Sequence, residues 1–144
     1  MYYVASPYSG YSSKQAYNTI AVQAACAELF RFGINAVSPI AHWAPIANQY
    51  ALPHDAKTWQ LYNDNLMDIC DGIILVALPG WEKSEGVQYE LAWAKEKGRP
   101  VYTLDLPDFT QGEYLERACH SIFKQITRDR AGRAGLEPLR QTAK

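Results

Sequence analysis

Unbroken apolar runs alternate along the chain with stretches of helical spacing, and this alternation predicts the fold. The longest run, at 72–78, is typical of a parallel strand with both faces covered. Shorter runs at 2–5, 34–37 and 100–104 predict three further strands. Strands separated by helical segments indicate an α/β fold with a doubly wound parallel sheet, of about four to five strands, in a single domain.

Helical spacing predicts helices over 12–32, 55–70, 84–97 and 111–127. Residues 40–53 are aromatic and contain prolines without clear periodicity, so this segment is predicted to be a functional loop with one short helix at most.

Spacing within two helices also predicts which residues share a face. In the first helix the residues toward the sheet are Tyr17, Ile20, Ala24 and Ala27, with Phe30 or the Arg31 stem next in line. In the second helix, Trp59, Tyr62, Leu66 and Ile69 lie on one stripe. Gly33 is expected to end the first helix in a left-handed conformation.

The chain has 144 residues, of which 48% are hydrophobic and 20% charged, enough for one domain with its own core. The net charge of -1 gives no general case for binding nucleic acid or a membrane. Three cysteines, odd in number and far apart, favour reduced thiols in the cytoplasm. We expect a domain over 1–127 without a signal peptide, and a basic, partly flexible tail over 128–144.

Unusual residues follow three of the predicted strands. In doubly wound sheets, ligands bind beyond the carboxyl ends of the strands, where these loops converge. The candidate binding residues are Ser6, Tyr8, Ser9 and Gly10 after the first strand, His42 after the second, and Trp81, Ser84 and Gly86 after the third. Ser84 as a helix N-cap places backbone N–H groups at this edge, where a phosphate or hydroxyl binds. Two roles are compatible with His42, that of a binding residue and that of an ordinary loop histidine.

Glu90 is a carboxylate among apolar residues, two turns into the helix after the third strand. Gly86, four positions earlier, lies on the same helix face and leaves room for a substrate. A partly desolvated carboxylate there can act as a nucleophile and form a covalent intermediate. The alternative is a solvated glutamate paired with Lys95 or Lys97. Tyr3 either orients Glu90 through a hydrogen bond or packs in the core.

Acidic residues approach the same edge from the preceding helix. Asp64 is the best candidate for contacting a base or donating a proton, whereas Asp71 is better placed to cap the third strand.

Several well-known site motifs are missing. The sequence contains no G-x-G-x-x-G, G-x-x-x-x-G-K-[ST] or G-x-S-x-G, which argues against dinucleotide, P-loop and serine hydrolase sites. Its histidines and cysteines match no zinc spacing. We therefore expect neither a metal nor another cofactor.

Three stretches together resemble the nucleoside 2-deoxyribosyltransferase superfamily. They are Y-V-A-S-P-Y from Tyr3, S-P-I-A-H-W from Ser38, and G-W-E-K-S-E-G-V-Q-Y-E-L-A-W-A from Gly80 with the later G-R-P-V. The resemblance covers about residues 2–105, and its most specific part is the S-x-G-x-x-x-E spacing. It is strongest to the small DUF1937-like branch, close to the deoxynucleoside 5′-monophosphate N-glycosidases.

The resemblance implies a flavodoxin-like or Rossmann-like fold and cleavage or transfer at the N-glycosidic bond of a (deoxy)nucleoside 5′-monophosphate. By position, Glu90 would attack the anomeric carbon, with Tyr3 orienting it and Ser84 binding the 5′-phosphate. The family's acidic residue in the preceding helix falls on Asn63 here, with Asp64 adjacent, which leaves the proton donor open. A homo-oligomer, dimeric or larger, is also implied.

Two other functions are compatible with the same pattern. One is a non-catalytic module that binds or senses a nucleotide without turnover. The other is a phosphoribohydrolase of the lysine-decarboxylase-like type, which expects P-G-G-x-G-T-x-x-E. Only Pro79, Gly80 and a later glutamate of that signature are present, so it ranks low.

Overall fold

The computed structural model describes residues 1–8, 12–106 and 112–134, and its centre is a parallel four-stranded sheet. The strands are β1 (Tyr2–Ala5), β2 (Ala36–Val37), β3 (Gly72–Ala77) and β4 (Val101–Asp105), in the spatial order β2-β1-β3-β4. The predicted α/β fold with a doubly wound, Rossmann-like parallel sheet is thereby confirmed. Strand order reverses between β1 and β3, so their carboxyl ends flank the crevice where such sheets bind ligands.

Within these ranges, five α-helices and one short 3₁₀-helix connect and follow the strands. They are α1 (Ser12–Arg31), α2 (Pro39–Gln49), α3 (Ala56–Asp68), the 3₁₀-helix Trp81–Lys83, α4 (Glu85–Glu96) and α5 (Glu113–Ala134). None of the helices in this described part of the chain is long and apolar enough to cross a membrane.

The prediction of a loop with one short helix over 40–53 is wrong in extent, because α2 takes up most of this segment. Ser38 caps the helix by accepting a hydrogen bond from the backbone N–H of Ala41 at 3.0 Å. Pro39 occupies the first turn, where a missing N–H costs nothing. The two prolines and the aromatic residues hid the helical periodicity of this segment.

The predicted end of α5 at Thr127 is also wrong, since the helix continues to Ala134. Ala131 is buried, and the Arg130 guanidinium lies 5.5 Å from the ring centroid of Tyr2. These contacts offset the cost of about 1 kcal/mol for Gly132 inside the helix. The rest of the predicted tail, 135–144, lies outside the described residues.

Two apolar clusters cover the two faces of the sheet. One lies against α1 and α5 and contains Tyr2, Val4, Ile74, Val76, Tyr102 and Leu104 from the strands. The other lies against α3 and α4 and contains Tyr3, Ala5, Ile73, Leu75 and Ala77. Successive strand residues point to opposite faces, so Tyr2 and Tyr3 enter different clusters.

The predicted sheet-facing residues of α1 are wrong apart from Ala24. The predicted stripe of α3 divides, since Leu66 packs on the cluster under the helix while Trp59 and Tyr62 pack elsewhere. The buried apolar positions of α1 are Ala21, Val22, Ala25 and Leu29, whereas Phe30 is 81% exposed. In α3 the residue buried against the sheet is Met67, because Trp59 and Tyr62 pack on Trp43 of α2 instead. Gly33 does end α1 with a positive φ of 73°, as predicted.

Candidate functional site

A cavity of about 180 Å³ opens at the carboxyl edge of the sheet. Its walls are formed by the turn after β1, by α2, by α3 with the segment before it, and by the start of α4. The lining residues are Ser6, Tyr8, Pro39, Ile40, Trp43, Ala44, Ala47, His54, Ala56, Trp59, Asn63, Ser84, Gly86, Val87 and Glu90. The cavity therefore lies at the edge where doubly wound sheets bind their ligands.

Glu90 reaches the cavity from the second turn of α4 and is only 8% exposed. Its Oε1 accepts a hydrogen bond of 2.5 Å from the hydroxyl of Tyr3, which is 1% exposed in β1. Among the described residues no cation pairs with Glu90, so the alternative of a solvated glutamate paired with Lys95 or Lys97 is wrong. Tyr3 therefore packs in the core and holds Glu90 at the same time.

Burial changes the acid–base properties of this pair. Desolvation raises the pKa of Glu90 to about 8, and the hydrogen bond from Tyr3 opposes part of that rise. Desolvation and the nearby Glu90 carboxylate also raise the pKa of the Tyr3 hydroxyl, so Tyr3 stays protonated and donates to the Glu90 carboxylate. The site thus contains a carboxyl group that titrates far closer to neutrality than an ordinary glutamate.

Two hydroxyl groups in the cavity lining are buried and have no hydrogen-bond partner within the described ranges. They belong to Ser6, which is 5% exposed, and Tyr8. The side chain of Asn18 donates to the carbonyl of Pro7 at 3.0 Å and fixes the turn that carries both. Because burying an unpaired polar group costs about 1–3 kcal/mol, these hydroxyls are explained best by a ligand that bonds to them.

The start of α4 forms the opposite side of the same edge. Ser84 caps the helix by accepting from the backbone N–H of Val87 at 3.4 Å, as predicted. A side chain at Gly86 would meet nothing within 4 Å, so the approach to Glu90 along this turn is open. The first backbone N–H groups of a helix lack helical partners and favour an anion.

The structure brings most of the predicted site residues together. Ser6, Tyr8, Asn63, Ser84, Gly86 and Glu90 line the cavity, and Tyr3 adjoins it through Glu90. Ser9 and Gly10 lie outside the described residues.

Asp64, His42 and Trp81 do not line the cavity. Asp64 accepts a hydrogen bond from the hydroxyl of Tyr89 at 2.9 Å, because adjacent helix positions point about 100° apart and Asn63 takes the cavity side. His42 is exposed beside Trp43, at 5.0 Å between ring centroids. Trp81 packs on the apolar cluster beneath α4.

Sequence reasoning missed the aromatic wall and one histidine. Trp43 and Trp59, with ring centroids 5.6 Å apart, line the cavity beside His54. Pro39, Trp43 and Ala47 recur at intervals of four residues, and this helical pattern was the available signal for α2. His54 had no such signal, because it lies in the connection between α2 and α3.

Within the described ranges, no group of three or more histidine, cysteine or acidic side chains is arranged to hold a metal ion. A comparison with curated proteins gave no match. A family model described as a domain of unknown function, DUF1937, matches residues 1–106 and so includes β1 to β4 and every residue of the cavity. The chain therefore belongs to the DUF1937 family.

Proposed function

We propose that the protein cleaves or transfers at the N-glycosidic bond of a (deoxy)nucleoside 5′-monophosphate through a covalent glycosyl–glutamate intermediate. The observation that carries the proposal is the buried carboxylate of Glu90, held by the Tyr3 hydroxyl at a cavity with unpaired hydroxyls. A carboxylate fixed in this way is pre-organised to attack an anomeric carbon. The resemblance to the nucleoside 2-deoxyribosyltransferase superfamily supplies the substrate class.

The proposed reaction has two displacement steps. In the first, an oxygen of Glu90 bonds to C1′, the bond from C1′ to the base nitrogen breaks, and its electron pair leaves with the base. In the second, water or another base attacks C1′ and releases the Glu90 carboxylate. Two inversions give net retention at C1′.

The remaining cavity groups fit the rest of such a substrate. Ser84 and the first N–H groups of α4 suit a phosphate, and no carboxylate at position 84 repels it. The hydroxyls of Ser6 and Tyr8 suit sugar hydroxyls, and the Trp43–Trp59 wall suits a flat base. By the same resemblance we propose that the protein is a homo-oligomer, and its free cysteines support a cytoplasmic location.

One observation favours a second function, a module that binds a nucleotide without turnover. With a pKa of about 8, the Glu90 carboxyl is mostly protonated at neutral pH and would donate a hydrogen bond to a ligand. A protonated carboxyl is a poor nucleophile.

The experiment that separates the two functions is incubation of the protein with each deoxynucleoside monophosphate at a series of pH values from about 6 to 9, with free base followed by chromatography. Glu90→Gln keeps the size of the side chain and removes the nucleophile, so it should bind nucleotide and release no base. If the parent protein binds a nucleotide tightly but releases no base, the enzyme proposal fails and the binding module stands.

A further inference from the structure

The proposed reaction requires a proton that the predicted donor is badly placed to supply. A base leaving with the electron pair of the broken bond needs a proton on a ring nitrogen. Asp64 accepts a hydrogen bond from Tyr89 and does not line the cavity, and the amide of Asn63 on the cavity side is not an acid. Among the described lining residues, the titratable side chains are Tyr8, His54 and Glu90.

His54 is held in place by the segment around it. The indole N–H of Trp59 donates to the carbonyl of Pro53 at 2.7 Å, which ties the segment to α3 from one side. On the other side, Asp55 caps α3 by accepting from the backbone N–H of Thr58 at 2.9 Å. The residue between these two anchored positions is His54, so its backbone is fixed at the cavity wall.

His54 shares its side of the cavity with the aromatic side chains on which a nucleobase can stack. Trp43 and Trp59, with ring planes 48° apart, form the aromatic part of the same wall, whereas Glu90 belongs to α4. A substrate with its anomeric carbon at Glu90 and its base on the tryptophans presents the base to His54. His54 is also exposed, so the water that attacks in the second step can reach it.

We propose that His54 is the catalytic residue that protonates the leaving base, an inference that rests on the proposed function. As the bond between C1′ and the base nitrogen breaks, its electron pair goes to the base, and the imidazolium of His54 transfers its proton to a base nitrogen. In the second step the neutral imidazole accepts the proton of the attacking water, while the ester bond between C1′ and Glu90 breaks. Proton and charge balance over the two steps, and no co-reactant is needed.

The test compares leaving groups that differ in their need for a proton. Deoxynucleoside monophosphates need one, whereas 4-nitrophenyl 2-deoxy-β-riboside 5′-phosphate releases a stable 4-nitrophenolate without one. We expect His54→Gln to lower kcat/KM on the nucleotides by about 10²-fold or more and to leave the nitrophenyl substrate unaffected. His120→Gln is the matched control, because His120 lies on α5, stacks on Phe32 and does not line the cavity.

The outcomes separate this inference from the proposed function. An equal loss on both substrates, or no loss on either, would overturn the role of His54 while base release still supports the proposed function. A leaving-group-dependent loss in Asp64→Asn instead of His54→Gln would assign the donor to Asp64. A parent protein that cleaves neither substrate contradicts the proposed function and this inference with it.

Discussion

Two tyrosine–carboxylate hydrogen bonds of nearly equal length lie on opposite faces of the sheet. Tyr3 donates to Glu90 at 2.5 Å on the α4 face, and Tyr102 donates to Asp129 at 2.6 Å on the α5 face. Both tyrosines are buried strand residues. The carboxylates differ, since Glu90 is buried at a cavity whereas Asp129 is exposed.

This comparison shows what turns a hydrogen-bonded carboxylate into a candidate reactive group. The hydrogen bond is common to both pairs, so it cannot be the distinguishing feature. Water solvates the charge of Asp129, while burial leaves Glu90 with one hydrogen bond and a pKa of about 8. Desolvation of the carboxylate at a cavity sets Glu90 apart from Asp129, whereas an unpaired buried hydroxyl does not, because Tyr2 carries one on the α5 face.

The largest expected effect is on activity when each carboxylate is replaced by its amide. Glu90→Gln should lower kcat/KM for base release by about 10³-fold or more, because an amide cannot form the glycosyl ester. Asp129→Asn should leave kcat/KM unchanged. Activity of Glu90→Gln within a factor of about 10 of the parent would remove Glu90 from the chemistry.

The same two variants should differ in how stability depends on pH. Glu90 has a folded-state pKa of about 8 against an ordinary value of 4.5, so the folded protein binds the extra proton between these values. Its contribution to stability is therefore full below about pH 4.5 and is lost as pH rises through about 8, on the order of 1 kcal/mol per pH unit. Urea unfolding across this range should show the slope in the parent and Asp129→Asn, and a reduced slope in Glu90→Gln.

Removing each tyrosine hydroxyl compares the two hydrogen bonds directly. On the nitrophenyl substrate, kcat/KM of the parent should rise with pH through about 8, as Glu90 ionises. Tyr3→Phe removes a donor that favours the charged form, so the midpoint should move upward by about one pH unit. Tyr102→Phe should leave the midpoint in place, and an equal shift in both variants would mean that the midpoint does not report Glu90.

The smallest effect concerns the phosphate and the start of α4. Ser84→Asp and Ser84→Asn both retain a good N-cap, so the two variants differ mainly in charge. Ser84→Asp should lower kcat/KM for the monophosphate by about tenfold relative to Ser84→Asn, because its carboxylate repels the phosphate. The unphosphorylated nucleoside serves as the reference substrate, and equal effects on both substrates would place the phosphate elsewhere.

The sheet and the reactive group Glu90 could be predicted from the sequence. The helix faces that line the cavity could not. Buried parallel strands are continuous apolar runs, and Glu90 stood out because an acidic residue interrupts a packing face. The alanine-rich α1 is apolar on several sides, so spacing alone could not show that Phe30 faces solvent. Asn63 and Asp64 are neighbours in sequence, and only the rotation of α3 decides which one reaches the cavity.

The most direct test of the central claim is to trap the sugar on Glu90. A 2′-deoxy-2′-fluoroarabinonucleoside 5′-monophosphate carries an electron-withdrawing fluorine that slows hydrolysis of the glycosyl ester and lets the intermediate accumulate. Peptide mass spectrometry should then find one fluoroarabinosyl phosphate on the peptide that contains Glu90, and none in Glu90→Gln. Base release by the parent without an adduct on Glu90, or with the adduct on another residue, would contradict the account.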